Sequence, residues 1–255
     1  MAEKDARLDK YVAEAAGITR KEAKTALSKG RVQVNGTVCK NGDQKVSVTD
    51  MVTLDGKSLR AEEFLYLMLH KPSGVVSATE DGRDKTVLDL VREQSAEHPD
   101  SVSETGYFLG KREVFPVGRL DKDTEGLLLL TDDGELAHRL LSPKKHVDKV
   151  YFAKLDGVVP EDAVERFAEG IQVGQDYKAL PAKLEVLSVT DGGSEVNITL
   201  REGKFHQVKR MCHEIGCEVI YLKRISMGNL VLDETLAPGK CRRLTVEEVE
   251  HVKRD

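Results

Sequence analysis

The sequence lacks the features that mark membrane, secreted and disulfide-rich proteins. No run of apolar residues in the 255-residue chain approaches the roughly 20 that span a bilayer. The first seven residues, Met-Ala-Glu-Lys-Asp-Ala-Arg, contain no apolar core of a secretory signal. Tryptophan is absent, and four cysteines at uneven spacing are too few for a disulfide framework. We therefore expect a cytoplasmic protein with one large domain, or with two of which one is small.

Positive charge is concentrated at the start of the chain. The formal net charge is −5, yet residues 1–60 contain 12 Lys and Arg against 8 Asp and Glu. Residues 61–255 contain 27 against 36. A basic N-terminal segment (the head) followed by an acidic remainder of the chain (the body) indicates that the head binds a polyanion. The alternative is an ordinary solvated surface of charged side chains.

The head has clear signals for two helices and a hairpin. Apolar spacing predicts a helix over residues 5–17, and Thr19-Arg20-Lys21-Glu22 is a capping box that opens a second helix. Asn-Gly at 35–36 predicts a hairpin over residues 32–39, with a third strand near 50–54. The polar segment 57–64 indicates a boundary, which gives a head of residues 1–59, a linker of 60–64 and a body of 65–255.

This arrangement resembles the alpha-L RNA-binding motif of ribosomal proteins and RNA-modifying enzymes. The resemblance covers about residues 5–58 and rests on Arg-Leu-Asp-Lys at 7–10, Thr-Arg-Lys-Glu-Ala at 19–23 and Gly-Arg-Val at 30–32. It implies that clustered cations of the head contact RNA phosphates. The residues that we expect to do so are Arg7, Arg20, Lys21, Lys24, Lys29 and Arg31.

The body is organised around residues 114–135. Apolar residues lead into Gly118-Arg119-Leu120-Asp121, a polar turn follows, and four consecutive leucines at 127–130 predict a buried strand. Asp121 thus lies on a loop between two buried segments, where a rigid scaffold displays functional side chains. The alternative is that Asp121 and Asp123 only form the turn, as aspartate often does.

The uninterrupted string from Gly118 to Gly134 resembles the signature loop of the RsuA-type pseudouridine synthases. In that family the aspartate of Gly-Arg-Leu-Asp is catalytic, which implies that role for Asp121. The family's second motif, Lys-x-Tyr, matches Lys149-Val150-Tyr151, although relatives more often have Thr in the middle. Its third motif, here His-Gln-Val-Lys-Arg-Met at 206–211, implies that Lys209 faces the catalytic carboxylate.

The same resemblance implies further RNA contacts in the body. Lys-Pro-x-Gly at 71–74 opens the catalytic domain of the family and lies near the RNA. The residues of the body that we expect at the RNA are Lys71, Arg119, Lys149 and Arg210. The polar stretch 92–113 has no clear period and resembles an insertion.

The implied reaction isomerises uridine to pseudouridine within RNA and requires no cofactor. The uracil is detached, turned and rejoined to the ribose through carbon. A free aspartate, whose pKa is about 3.9, is already ionised at neutral pH and is suited to this chemistry. Asp121 acts on either the ribose or the uracil ring, Lys209 orients it, and Tyr151 stacks on the displaced uracil. We expect no metal, because Cys212 and Cys217 lack a second pair of ligands and Cys212 belongs to a core face.

Three other functions compete with this assignment. A non-catalytic RNA-binding or ribosome-assembly protein would need only the head. A carboxylate-dependent glycosidase would need two carboxylates at a defined separation, which Asp121 and Asp123 do not show. A synthase for large-subunit ribosomal RNA is the nearest alternative, but His206 and Leu-Ser-Pro-Lys-Lys-His at 141–146 more closely resemble the small-subunit enzyme.

The predicted fold class is α+β. The small alpha-L RNA-binding domain precedes a catalytic domain with a mainly antiparallel sheet flanked by helices, as the resemblance implies. We expect a monomer whose partner is ribosomal RNA or a ribosome assembly intermediate, with the RNA lying between the loop of Asp121 and the helix of Lys209.

Overall fold

The computed structural model describes residues 6–16, 18–47, 50–59, 64–97, 112–142 and 145–254. The chain forms two compact units, one containing residues 1–64 and the other containing residues 65–98 and 114–255. No helix in the described ranges is long and apolar enough to cross a membrane.

The first unit consists of two helices and short strands. In chain order they are β1 (Ala6–Arg7), α1 (Leu8–Ala16), α2 (Arg20–Ser28), β2 (Val32–Val34), β3 (Thr37–Val38), β4 (Lys45–Val46), β5 (Val52–Leu54) and β6 (Lys57–Leu59). Strands β3-β2-β5-β6 form one antiparallel sheet, and β1 pairs with β4. Leu8, Val12, Ala23, Leu27 and Val32 are among its buried core residues.

Most local predictions for the head are confirmed. Thr19 accepts from the Glu22 amide while the Glu22 carboxylate accepts from the Thr19 amide, which is the capping box. Asn35 and Gly36 have φ of 51° and 80°, as the tight turn between β2 and β3 requires. Two boundaries were wrong: residues 6–7 pair as a strand rather than begin the helix, and residues 57–59 are strand β6 rather than connector. Gly17, at the predicted end of the first helix, and residues 60–63 of the predicted linker lie outside the described residues.

The second unit is built on a nine-stranded sheet. Its elements are β7 (Tyr66–Lys71), α3 (Val87–Glu97), β8 (Phe115–Pro116), β9 (Glu125–Thr131), α4 (Gly134–Leu141), β10 (Lys149–Asp156), α5 (Ala163–Glu169), β11 (Gln172–Val173), β12 (Tyr177–Lys178), β13 (Lys183–Thr190), β14 (Gly193–Leu200), α6 (Gln207–His213), β15 (Glu218–Met227), β16 (Leu230–Val231), β17 (Cys241–Arg243) and α7 (Val246–Arg254). The sheet order is β13-β14-β10-β15-β9-β7-β17, with β16 beside β15 and β8 beside β9.

The predicted fold class is confirmed. The chain is α+β, and its second unit has a mixed, mainly antiparallel sheet in which the neighbouring strands β9 and β15 are parallel. The four leucines at 127–130 are fully buried in β9, as predicted. Along β14 burial alternates residue by residue, because one face packs on the core and the other does not.

Several details of the body differ from the predictions. Residues 92–97, predicted to lack periodicity, continue helix α3, and the remainder of that stretch up to 111 lies outside the described residues. The final helix α7 was not predicted.

Gly126 allows the parallel strands β9 and β15 to approach closely beside the Asp121 loop. Its φ is +103°, and a Cβ at this position would lie 2.2 Å from the carbonyl oxygen of Arg224. A contact that short is impossible for any side chain, so only glycine permits this pairing. The loop that carries Asp121 therefore enters β9 at a fixed place in the sheet.

Candidate active site

The loop before β9 is fixed on both sides of Asp121. The hydroxyl of Ser77 donates to the Leu120 carbonyl at 2.9 Å and accepts from the Leu120 amide at 3.1 Å. After the aspartate, the Thr124 amide donates to the Asp121 carbonyl at 3.1 Å. These buried bonds hold the backbone, so that the side chain of Asp121 is displayed from a rigid turn.

Lys71 supports the same loop from beneath. Its side chain is fully buried, and Nζ donates to the carbonyls of Pro72, Lys122 and Thr124 at 3.0, 3.1 and 2.8 Å. Burial lowers the pKa of its ammonium to about 8, partly offset by the acidic residues of the loop. The ammonium of Lys71, which was expected at the RNA, thus faces the backbone of the protein.

Lys209 lies between two carboxylates. Its Nζ is 2.6 and 2.7 Å from the two carboxylate oxygens of Asp123 and 3.7 Å from Oδ2 of Asp121. The hydrogen bond from Lys209 lowers the pKa of Asp123. On the other side, Nε2 of His206 is 3.7 Å from Oδ1 of Asp121. The structure thus brings Asp121 and Lys209 together, but the shorter ion pair goes to Asp123.

A cleft opens over the Asp121 carboxylate. It is lined by polar groups and by the apolar side chains of Leu120, Leu200 and Leu222, together with Tyr151. Tyr151 is a core residue of β10, and only 8% of it is exposed. The side chain of Asp121 is 30% exposed, so a ligand in the cleft can reach it. Arg119 is exposed and also lines the cleft.

Two predicted RNA ligands of the body are otherwise engaged. Arg210 forms an ion pair with Asp176 and lies beside the ring of Tyr177. Lys149 is buried, its Nζ donates to the Val147 carbonyl at 3.2 Å, and burial lowers its pKa. The ammonium of Lys149 thus faces the protein interior as that of Lys71 does, whereas the Arg210 side chain retains partial exposure.

The first unit has an open basic surface. A shallow cleft is lined by Arg7, Arg20, Lys21 and Lys24. Beneath it lies the buried carboxylate of Asp9, which accepts from Arg7 at 3.2 Å and from Arg20 at 3.1 Å. Burial raises the pKa of Asp9, but the hydrogen bonds from the arginines outweigh it and leave the pKa below its usual value.

The other two predicted ligands of this unit lie at the end of α2. Lys29 is exposed. Arg31 forms a two-pronged ion pair with Asp55, with Nε donating at 2.8 Å. Four of the six predicted cations therefore share one surface, and Arg31 is partly neutralised.

Sequence reasoning missed the contacts that four residues make in the folded chain. Asp123 was interpreted as part of the turn, His206 only as a marker of subfamily, and Asp9 only as part of a motif. Phe205, beside His206, received no role. Signals existed for two of them: Asp123 lies two residues from Asp121, and His206 lies three residues before Lys209. The buried position of Asp9 depends on tertiary packing.

Cys212 belongs to the core, as predicted. It is fully buried, and burial raises the pKa of its thiol to about 12. Across the described ranges, no group of three or more His, Cys, Asp or Glu is placed to hold a metal ion.

A basic head unit joined to an α+β body with an accessible carboxylate in a cleft is an organisation suited to enzymes that modify nucleic acid. A family model described as RNA pseudouridylate synthase matches residues 65–214, and one described as S4 domain matches residues 6–52. The chain belongs to the RNA pseudouridylate synthase family, as an RsuA-like enzyme with an N-terminal S4 domain. It is an isomerase that acts on RNA and binds RNA through the S4 domain.

Individual relatives cover nearly the whole chain. The Bacillus subtilis protein named uncharacterized RNA pseudouridine synthase YtzG is 45% identical over 95% of this chain and 96% of its own length. The Vibrio cholerae protein named ribosomal small subunit pseudouridine synthase A is 42% identical over 96% of this chain and 99% of its own. A crystal structure titled pseudouridylate synthase has 38% identity and a TM-score of 0.63, covering 96% of this chain and 99% of that one.

Proposed function

We propose that this enzyme converts a specific uridine of small-subunit ribosomal RNA to pseudouridine. Residues 1–59 hold the RNA, residues 60–64 link the units, and residues 65–255 carry out the reaction in the cytoplasm. The observation that carries the proposal is the Asp121 carboxylate, which is held on a rigid loop and accessible from a cleft beside Lys209.

Asp121 is the catalytic carboxylate in this proposal. The reaction breaks the bond between ribose C1′ and uracil N1, forms a bond from C1′ to C5, releases the hydrogen of C5 as a proton and leaves a proton on N1. An ionised carboxylate can initiate it by attack on the ribose or on the uracil ring. Lys209 supports this role because its ammonium is 3.7 Å from Asp121 and more tightly held by Asp123, which leaves the Asp121 oxygens accessible.

In this proposal the cleft at Asp121 takes a flipped-out base. A uridine stacked inside RNA cannot reach Asp121, and extruding it costs on the order of a few kcal/mol. Leu120, Leu200 and Leu222 provide apolar surface, and Tyr151 provides a ring for the uracil to stack on. Exposed Arg119 is placed to hold the adjacent phosphate.

The choice of small-subunit RNA rests on relatives and on local sequence. The Vibrio cholerae relative is named for the small ribosomal subunit, whereas the name of the Bacillus subtilis relative specifies no particular RNA. His206, which marks the small-subunit type in the sequence, lies in the cleft beside Asp121. The alternative substrate is large-subunit ribosomal RNA.

Tritium release tests both reaction and substrate. RNA labelled at C5 of uridine loses tritium only when C5 becomes bonded to ribose, so the assay reports isomerisation. We expect release from small-subunit RNA, free or in an assembly intermediate, and none from large-subunit RNA. Release from large-subunit RNA alone would overturn the substrate assignment.

The residue assignment is tested with two isosteric variants. Asp121→Asn should fold and bind RNA as the parent does, yet release no tritium. Asp191→Asn, in the exposed turn between β13 and β14, is the matched control and should retain full release. Substantial turnover by Asp121→Asn would rule out Asp121 as the catalytic carboxylate.

A further inference from the structure

Phe205 places an aromatic ring in solvent at the edge of the catalytic cleft. It is 75% exposed, the highest value among the exposed large hydrophobic side chains of the described residues. Single exposed aliphatic residues are common on protein surfaces, but every other member of that group is aliphatic or methionine. An exposed aromatic residue is less common and offers a flat surface for stacking.

The ring of Phe205 is held in place by its neighbour. It stacks on the imidazole of His206 with centroids 3.8 Å apart and planes 18° from parallel. His206 itself has φ of +50°, a left-handed conformation that is uncommon for a residue other than glycine. Its carbonyl accepts from the Arg210 amide at 2.9 Å, which fixes the pair to the start of helix α6. Phe205 is thus oriented before any ligand binds.

The stacked rings of Phe205 and His206 lie between solvent and the Asp121 carboxylate. Nε2 of His206 is 3.7 Å from Oδ1 of Asp121, and the same imidazole carries the Phe205 ring on its face. The imidazole of His206 therefore lies between the Phe205 ring and the Asp121 carboxylate. A nucleotide next to a uridine bound at Asp121 lies within reach of that ring.

We propose that Phe205 is a stacking platform for the RNA base adjacent to the target uridine. When the target leaves the helix, its neighbour loses a stacking partner, and the Phe205 ring replaces that partner. Stacking on an aromatic ring tolerates any base, so Phe205 positions the strand rather than reading its sequence. This inference rests on the proposed placement of the target uridine at Asp121.

Three substitutions of Phe205, by Ala, Leu and Trp, distinguish stacking on a flat ring from simple apolar contact. With a small-subunit ribosomal RNA transcript, we expect Phe205→Ala to raise KM roughly 5- to 150-fold, the range found for loss of one base-aromatic stack, with a smaller change in kcat. Phe205→Leu keeps apolar bulk but lacks the flat ring and should resemble Phe205→Ala. Phe205→Trp should restore KM towards the parent value.

The absence of tryptophan from the chain allows a direct test of contact. Phe205→Trp introduces a single indole, and combining it with Asp121→Asn permits binding without turnover. We expect the transcript to quench this fluorescence. The matched control is Val189→Trp, at an exposed site on edge strand β13. Val189 on β13 pairs with Ser194 on β14, and Ser194 pairs with Leu155 on β10. Leu155 is four residues along β10 from Tyr151, so position 189 is remote from the cleft and an indole there should not be quenched.

The outcomes distinguish this inference from the proposed function. If the parent releases tritium, Asp121→Asn does not, and Phe205→Ala keeps the parent KM, then the stacking role is wrong and the catalytic site stands. Equal quenching at positions 205 and 189 would also overturn the inference, since it would show nonspecific contact. Turnover by Asp121→Asn would instead overturn the proposed site.

Discussion

The ammonium of Lys209 binds both carboxylate oxygens of Asp123, at 2.6 and 2.7 Å, and stays 3.7 Å from Asp121. Asp123 therefore competes with Asp121 for the same cation. Because a charge-assisted hydrogen bond occupies the oxygens of the carboxylate that accepts it, the closer pairing of Lys209 with Asp123 leaves the Asp121 oxygens available to the substrate. Asp123 is a positioning residue in this arrangement.

The first prediction concerns that competition. In Asp123→Asn the ammonium loses its closer partner and should move onto Asp121, which would reduce the reactivity of the carboxylate that we propose to be catalytic. We expect kcat to fall about tenfold, equivalent to about 1.4 kcal/mol, while Asp121→Asn is inactive. Single-turnover tritium release measures both variants, and equal loss in both would show that Asp123 has a direct catalytic role.

The second prediction concerns the close approach at Gly126. Gly126→Ala places a Cβ against the backbone of Arg224 and forces β9 and β15 apart, so the free energy of unfolding should fall by about 3 kcal/mol or more. Gly134→Ala is the matched control, because nothing lies within 4 Å of its added Cβ at the start of α4. Denaturant unfolding of the two variants measures the difference, and similar stabilities would contradict the steric argument.

The third prediction concerns the buried ammonium of Lys71. Lys71→Met leaves the carbonyls of Pro72, Lys122 and Thr124 without this donor and loosens the Asp121 loop. Each unsatisfied buried group costs about 1–3 kcal/mol, so both stability and kcat should fall at pH 7. Lys183→Met, at a lysine whose side chain is 71% exposed, serves as control and should change neither.

The stabilising effect of Lys71, measured with the same variant, should depend on pH. The folded pKa of Lys71 is about 8, below its usual 10.5. Between these values the unfolded chain binds more protons than the folded one, so the folded state gains stability as pH rises. The stability difference between the parent and Lys71→Met should therefore widen from pH 7.5 to 10.5. A constant difference across that range would show that the pKa of Lys71 is not lowered.

The fourth prediction concerns Asp9 beneath the basic surface of the head. Its carboxylate holds Arg7 and Arg20 and lies 3.8 Å from Nζ of Lys24. Without that charge the cations repel and disperse, so Asp9→Asn should weaken RNA binding about tenfold although the protein becomes more positive. The salt dependence of binding should flatten as fewer phosphates are neutralised together.

Binding titrations at several salt concentrations measure this effect, with thermal unfolding as a check on folding. Glu14→Gln removes a charge that pairs with Lys10 at 3.6 Å on the exposed face of α1. That control should bind RNA at least as tightly as the parent. Tighter binding by Asp9→Asn as well would mean that net charge, and not the arrangement of the cations, sets affinity.

Local signals in the sequence determined the elements and the principal site. The capping box at Thr19, the Asn35-Gly36 turn and the leucine run of β9 each depend on neighbours a few residues away, so their outcome could be predicted. The motifs around Asp121, Tyr151 and Lys209 indicated one chemistry, because all three match motifs of the same family and occur in the same order along the chain.

Only the tertiary structure decided which charges face solvent and which pair with each other. Lys71 and Lys149 are indistinguishable from surface lysines in the sequence, yet the sheet buries both. Lys209 binds Asp123 more closely than Asp121, although it lies in a different element far along the chain. Asp9 lies under three cations, two of which, Arg20 and Lys24, come from the next helix. The burial of a charged side chain and its choice of ionic partner depend on long-range packing, which periodicity and short motifs do not encode.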